Sequence, residues 1–156
     1  MVNAHIVRSS EGEAHEGVPW LFKATARHTQ GRFDFLVGTV DYFTGPPLHS
    51  HREQEDTFYV LEGILTLQVD DETFDLGPGD FATIPPGVAH TFDNIRNDQP
   101  PVKAINLMTF GGFDGFLAEE ARLRRQSADP ATFEELAEKY GATILGPPLR
   151  VKLGLV

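Results

Sequence analysis

The sequence predicts an all-β domain of antiparallel strands, a sandwich or barrel, carrying a short helical appendage at its C-terminal end. Three observations lead there. Up to about residue 110, short runs of alternating apolar and polar residues recur between Gly, Pro, Asp and Asn. These runs follow one another with no helical pattern between them, which argues against a parallel βαβ sheet. From about residue 113 onward, the apolar spacing changes to the three-and-four rhythm of a helix.

The first clear run is RFDFLVGTVDYF, residues 32–43. Phe33, Phe35, Val37 and Thr39 share one face of such a strand, and Arg32, Asp34 and Leu36 the other. DTFYVLEG (56–63) and ILTLQVDDETFDL (64–76) follow, and VDDET inside the second reads as a hairpin turn. GDFATIPPG (79–87), AHTFDN (89–94) and VKAINLMTF (102–110) complete the series. Two helices then appear. FDGFLAEEARLRRQ (113–126) places Phe113, Phe116, Leu117 and Ala121 at helical spacing, with Asp114 as its candidate cap. DPATFEELAEKYG (129–141) offers Asp129 as cap, Pro130 at the first helical position, and Thr132 with Glu135 as a capping box. Phe133, Leu136, Ala137 and Tyr140 form its apolar stripe, and Gly141 stops it. The whole chain, 1–156, reads as one domain: a β core of about 30–110, helices of about 113–141 and a tail of 142–156.

Composition narrows the chemistry. Hydrophobic residues make up 40% of the chain and Phe occurs 12 times, enough to build a core without covalent help. There is no cysteine, which excludes disulfides, zinc–thiolate sites, iron–sulfur clusters and thiol nucleophiles. A metal would have to be held by imidazole, carboxylate and water. The formal net charge of −10 makes nucleic acid a poor partner. No stretch has membrane-spanning length, and no apolar leader opens the chain, so no membrane partner and a cytoplasmic location are expected.

The segment PPLHSHREQEDTFYVLEG (46–63) holds His49 and His51, which point the same way if the segment is extended. Two imidazoles at that spacing can reach one ion. Downstream, His90 follows the rigid turn Pro85-Pro86-Gly87, and His90, Phe92 and Asn94 share a strand face.

Together these stretches resemble the cupin superfamily. Its second motif, G-x5-P-x-G-x2-H-x3-N, is matched at every fixed position by Gly79, Pro85, Gly87, His90 and Asn94. Its first, G-x5-H-x-H-x3-4-E-x6-G, is matched by His49, His51 and Gly63, with departures. Gly45 stands too close to His49. The position seven before Gly63 is Asp56, not a glutamate. Glu55 also satisfies the count from His51, but only Asp56 satisfies both counts and shares a face with Phe58 and Val60. Asp56 is therefore the preferred carboxylate, with Glu55 as the alternative. The resemblance covers roughly residues 30–110, and the helical tail is similar to that of small single-domain cupins resembling quercetin dioxygenases.

The resemblance implies an antiparallel double-stranded β-helix, the jelly-roll barrel of cupins. It implies a metal site of His49, His51, Asp56 and His90 for one divalent first-row transition metal: Fe, Mn, Ni, Co, Cu or Zn. Strand parity suggests Phe35, Val37, Phe58, Val60 and Phe92 as pocket lining. The implied function is a dioxygenase acting on a small aromatic or enolic molecule, flavonol- or phenol-like, with Asp56 or Glu55 as base. A metal-assisted isomerase, cyclase or lyase of a polyketide-like intermediate is a second reading, and a non-catalytic small-molecule binder a third. A homodimer is expected, with NAHIVR (3–8) and PLRVKLGLV (148–156) crossing to the partner as edge strands.

Overall fold

Alternation in residues 33–40 is resolved by pairing. In the computed structural model, which describes residues 4–156, the strand β2 (Phe33–Val40) lies between β1 (Trp20–Ala24) and β9 (Val102–Thr109). Its partners on β9 include Asn106 opposite Leu36 and Val102 opposite Val40. Beyond β9 come β4 (Asp56–Glu62) and β7 (Phe81–Ile84), giving a five-stranded sheet in the order β1-β2-β9-β4-β7.

The second sheet runs β10-β3-β8-β5-β6. It contains β3 (Pro47–His51), β5 (Leu65–Val69), β6 (Glu72–Leu76), β8 (His90–Asp93) and β10 (Ala142–Pro148). Strands β5 and β6 form the expected hairpin, and Asp70 takes a left-handed φ of 49° at its tip, a conformation Asp tolerates. All named pairs are antiparallel, and the two sheets face each other as a jelly roll.

Between the sheets lies an apolar core of Val40, Phe58, Val60, Leu65, Leu67, Ile84 and Val102. Phe58, Val60, Leu65 and Val102 are fully buried. Each such side chain contributes about 1.5–3 kcal/mol on leaving water. On the β9 face toward this core the sequence reads Val102, Ala104, Asn106, Met108, so one polar residue interrupts an apolar series.

The appendage consists of α2 (Asp114–Arg125) and α3 (Pro130–Lys139). Asp129 caps α3 by accepting from the Ala131 N–H at 2.9 Å, Pro130 occupies the first turn, and Gly141 ends the helix with φ of 76°. Two expectations change. The start at Pro130 places Thr132 and Glu135 inside the helix, where no capping box forms. Asp114 is the first helical residue of α2, and Phe113 is the cap position.

Both expected crossing segments also differ. Residues 4–8 form no strand, and Asn3 lies outside the described residues. At the other end the edge strand comes earlier, as β10, and pairs with β3 of its own chain. Leu149–Lys152 then forms a helical turn, α4, with Leu149 fully buried and Arg150 bound to Asp93 at 3.0 Å. The short helix α1 (Ala26–Thr29) joins β1 to β2.

Candidate metal centre

Three histidines reach one point because β3 and β8 are neighbours. His49 on β3 pairs directly with His90 on β8, and their ring centroids stand 4.5 Å apart. His51, two residues along β3, brings its ring within 4.9 Å of His49 and 5.4 Å of His90. The fourth member comes from the opposite sheet. Asp56 opens β4, and its Oδ2 lies 3.1 Å from His90 Nε2 and 3.7 Å from His51 Nε2. One ligand atom from each of the four lies within 4.8 Å of the others, and His51, Asp56 and His90 are buried. Glu55, one residue before β4, is exposed and takes no part.

The outer hydrogen bonds orient the rings. His49 Nδ1 faces the Pro47 carbonyl at 2.8 Å, and His90 Nδ1 faces the Val88 carbonyl at 3.0 Å. Each Nδ1–H is thereby committed to backbone, which leaves Nε2 as the atom turned to the cluster. The inward polar residue of β9, Asn106, donates from Nδ2 to Asp56 Oδ1 and to the Thr57 carbonyl.

Charges follow from these contacts. Burial, reinforced by the neighbouring His90 and His51, pushes His49 down to about 3. Burial would raise the Asp56 carboxyl, but the imidazoles of His51 and His90 outweigh it and hold the group well below the usual carboxylate range. Burial lowers His90, and the hydrogen bond and charge of Asp56 together with the Val88 carbonyl reverse that, leaving it above its ordinary value.

The residues fit a cation. His51 is 2% exposed, yet neither of its ring nitrogens has a hydrogen-bond partner. A buried polar atom without a partner costs about 1–3 kcal/mol, and a divalent ion among the four ligands would remove that cost at one of the two nitrogens. Three imidazoles and one carboxylate suit a first-row divalent metal.

The predicted pocket lining fares differently. Phe58 and Val60 are fully buried core residues, and Phe92 packs on Phe58 with centroids 4.8 Å apart, so these three fill the space between the sheets. Phe35 and Val37 point away from it. Leu36 and Val40 take the inward positions of β2, and parity sends their neighbours to the outer face. A cavity of about 320 Å³ lies elsewhere, lined by residues that include Arg52, Gln54, Gly112, Phe113, Tyr140 and Gly141. Sequence reasoning also missed Asn106 and Asp34. A lone polar residue in the alternating apolar series of β9 was the available signal for Asn106; Asp34 gave none, since its strand face also carries Arg32.

A jelly roll of two antiparallel sheets with three histidines and an aspartate gathered at one end defines a double-stranded β-helix protein with a candidate metal site. Residues 38–108 match the family model of the Cupin domain. Among curated proteins it is similar to quercetin 2,3-dioxygenase of Bacillus subtilis, 27% identical over 114 residues, or 72% of this chain and 33% of that protein. It is also 40% identical over 50 residues to an uncharacterised protein of Methanocaldococcus jannaschii, a match covering 32% of this chain and 40% of that one. The chain thus spans well under half of either relative. Among solved structures, an RmlC-like cupin from Shewanella frigidimarina aligns with a TM-score of 0.59 at 19% identity, covering 71% of this chain and 95% of that one. KdgF from Halomonas aligns with a TM-score of 0.54 at 18% identity, covering 66% and 89%. At these identities the structural matches speak for the fold.

Proposed function

We propose that this chain is a metal-dependent enzyme of dioxygenase type that acts on a small aromatic or enolic molecule. The observation that carries the reading is the buried convergence of His49, His51, Asp56 and His90, with both His51 nitrogens left without partners. Similarity to a quercetin dioxygenase supports the choice of reaction class. In this reading the four side chains hold one divalent cation, which supplies Lewis acidity and a route for electrons to O2.

The chain's own residues do the rest. Asp56, kept ionised, is the acceptor this reading assigns for the proton of a substrate hydroxyl, a weak one because His51 and His90 hold its carboxyl low. Asn106 fixes that carboxylate by holding its Oδ1. Glu55, exposed and outside the cluster, is not assigned the base role. The Pro47 and Val88 carbonyls keep His49 and His90 in the tautomer that turns Nε2 inward.

The experiment has two arms. Metal content is measured by mass spectrometry for the parent, His49→Ala and Asp56→Ala, and O2 uptake is followed over a set of phenols and flavonols. One cation per parent chain, loss in both variants, and O2 uptake that depends on the cation are the expected results. Variants that hold as much metal as the parent would remove the ligand set. A loaded protein that converts such compounds without O2 would move the reaction to an isomerase, cyclase or lyase.

We further propose a homodimer. Leu21, Val37, Ile105, Tyr59 and Phe81 are register partners across all five strands of the first sheet, on its outer face. Tyr59 is 40% and Phe81 61% exposed, an uncharged row on a chain of net charge −10. Light scattering should give twice the chain mass, and Ile105→Glu should reduce it to one; a parent of single-chain mass would exclude the dimer.

A further inference from the structure

The cluster and the cavity share no lining residue, yet one side chain touches both. Phe113 forms part of the cavity wall, and its ring meets the His51 ring edge-on with centroids 5.1 Å apart. Phe113 is 8% exposed, so the ring is enclosed between the two spaces. On its far side Phe116 stacks against it at 4.5 Å, and Tyr140 meets Phe116 at 5.8 Å.

The backbone that carries Phe113 is built to turn and to be held. Gly112 has φ of 114°, a region that only glycine enters without strain. A side chain at position 111 would lie 2.7 Å from Asp34 Oδ1 and 2.9 Å from the Phe33 carbonyl, so Gly111 is there for lack of room. Asp34, a fully buried carboxylate of β2, accepts from the N–H groups of Gly112 at 2.8 Å and Phe113 at 2.7 Å through one oxygen. Its other oxygen accepts from the Ala26 N–H at 2.8 Å. A buried carboxylate spent entirely on backbone N–H groups has no role in the four-residue cluster. What it does is hold the two-glycine segment in place.

We propose that Phe113 is the gate between the cavity and the histidine–aspartate cluster, carried on the Gly111–Gly112 hinge and latched by Asp34. Ligands reach the cluster through the space that the ring occupies in this structure. The gate also sets specificity. A cavity lined by Phe113, Tyr140 and three glycines, with Arg52, Glu53 and Lys139 also in its wall, suits planar ring compounds that carry polar groups. The inference rests on the cluster being a site that small molecules reach, as the proposed function requires.

Its test does not depend on metal binding. The metal-free chain is treated with diethyl pyrocarbonate, and carbethoxylation of His51 is followed by peptide mass spectrometry in the parent, Phe113→Ala and Phe113→Trp. Phe113→Leu serves as a milder variant should circular dichroism show the alanine variant unfolded. The parent's His51 should react slowly, Phe113→Ala roughly tenfold faster or more, and Phe113→Trp no faster than the parent. Equal rates in the parent and the smallest folded variant would overturn the gate, as would a His51 that already reacts freely in the parent. In parallel, removal of Co²⁺ by EDTA from loaded protein should speed up in the same order at unchanged stoichiometry. A parent that binds no cation but shows the carbethoxylation pattern would sink the metal reading and keep the gate. A parent that binds one cation with equal His51 rates would do the reverse.

Discussion

Asp56 and Val60 sit on the same face of one strand, four residues apart, and end in opposite kinds of interior. Around Val60 the space between the sheets is filled by Phe58, Leu65, Leu67 and Val102. Around Asp56 it is filled by three imidazoles and an amide, and two nitrogens of His51 have no partner. On the neighbouring β9, Asn106 stands opposite Phe58 and Ala104 opposite Val60, so its one inward polar residue is one ladder step from Asp56. The apolar end is complete as it stands, since its stability comes from contact and burial alone. The polar end is left with two unpartnered nitrogens, and its donor set is that of a candidate metal site. One fold therefore separates a filled apolar core from a polar cluster, about a strand's half-length apart.

Breaking the apolar end gives the largest effect. Phe58→Ala removes a fully buried ring that packs on Phe92, and should cost about 3–5 kcal/mol of stability in denaturant titration. The folded fraction should still bind one cation per chain. A variant that loses metal in proportion to stability would show that the two ends are one cooperative unit.

Sharpening the polar end comes next. Asn106→Leu keeps the branched shape with bulkier ends but takes the donor from Asp56 Oδ1. Outer partners of this kind are worth roughly 10–100-fold in metal affinity, so competition with a calibrated chelator should show a loss in that range at unchanged stoichiometry. Stability of the metal-free protein should change far less than in Phe58→Ala. An unchanged affinity would reduce Asn106 to a core filler.

The contrast between the two ends also explains what the sequence could reveal. Strand periodicity is a local signal, and the runs containing Phe33–Val40, Asp56–Glu62 and Val102–Thr109 were legible for that reason. His49, His51 and His90 were legible through fixed spacings around a Pro-Pro-Gly turn, and Asp56 through two counts that agreed with strand parity. The sense of β2 was not. Arg32 and Asp34 made the Leu36 and Val40 face look like the solvent side beside the apolar row of Phe33, Phe35 and Val37, and only the fold, which buries Asp34, reverses that. Strand β10 was hidden by Gly146, Pro147 and Pro148, which read as loop until β3 supplies a ladder for them. Asn106 was missed because its Asp56 partner lies 50 residues away, and Asp34 because two of its three donors lie 78–79 residues away. Phe113 was seen as one apolar position on a helix stripe, which its sequence neighbours made it; its contact with His51 is a fact of tertiary structure.

The smallest effect concerns a single proton and tests whether the polar end is incomplete when empty. In the metal-free chain Asp56 raises His90, so the folded state binds that proton more tightly than the unfolded chain does. The stabilisation this provides is fully present below about pH 6.5, the ordinary histidine value, and is lost as pH rises through the higher folded value. His49, held neutral by burial, acts the other way below about pH 6.5, so the His90 effect is read above it: the denaturation midpoint of EDTA-treated protein should fall between about pH 7.5 and about pH 9, and His90→Gln should flatten that slope. A cation that takes the His90 Nε2 lone pair must displace the same proton. Cation uptake should then release more protons to a weakly buffered solution at about pH 6 than at about pH 9. Equal release at both ends of the range would mean that His90 Nε2 is not a ligand, and that the apolar and polar ends differ only in composition.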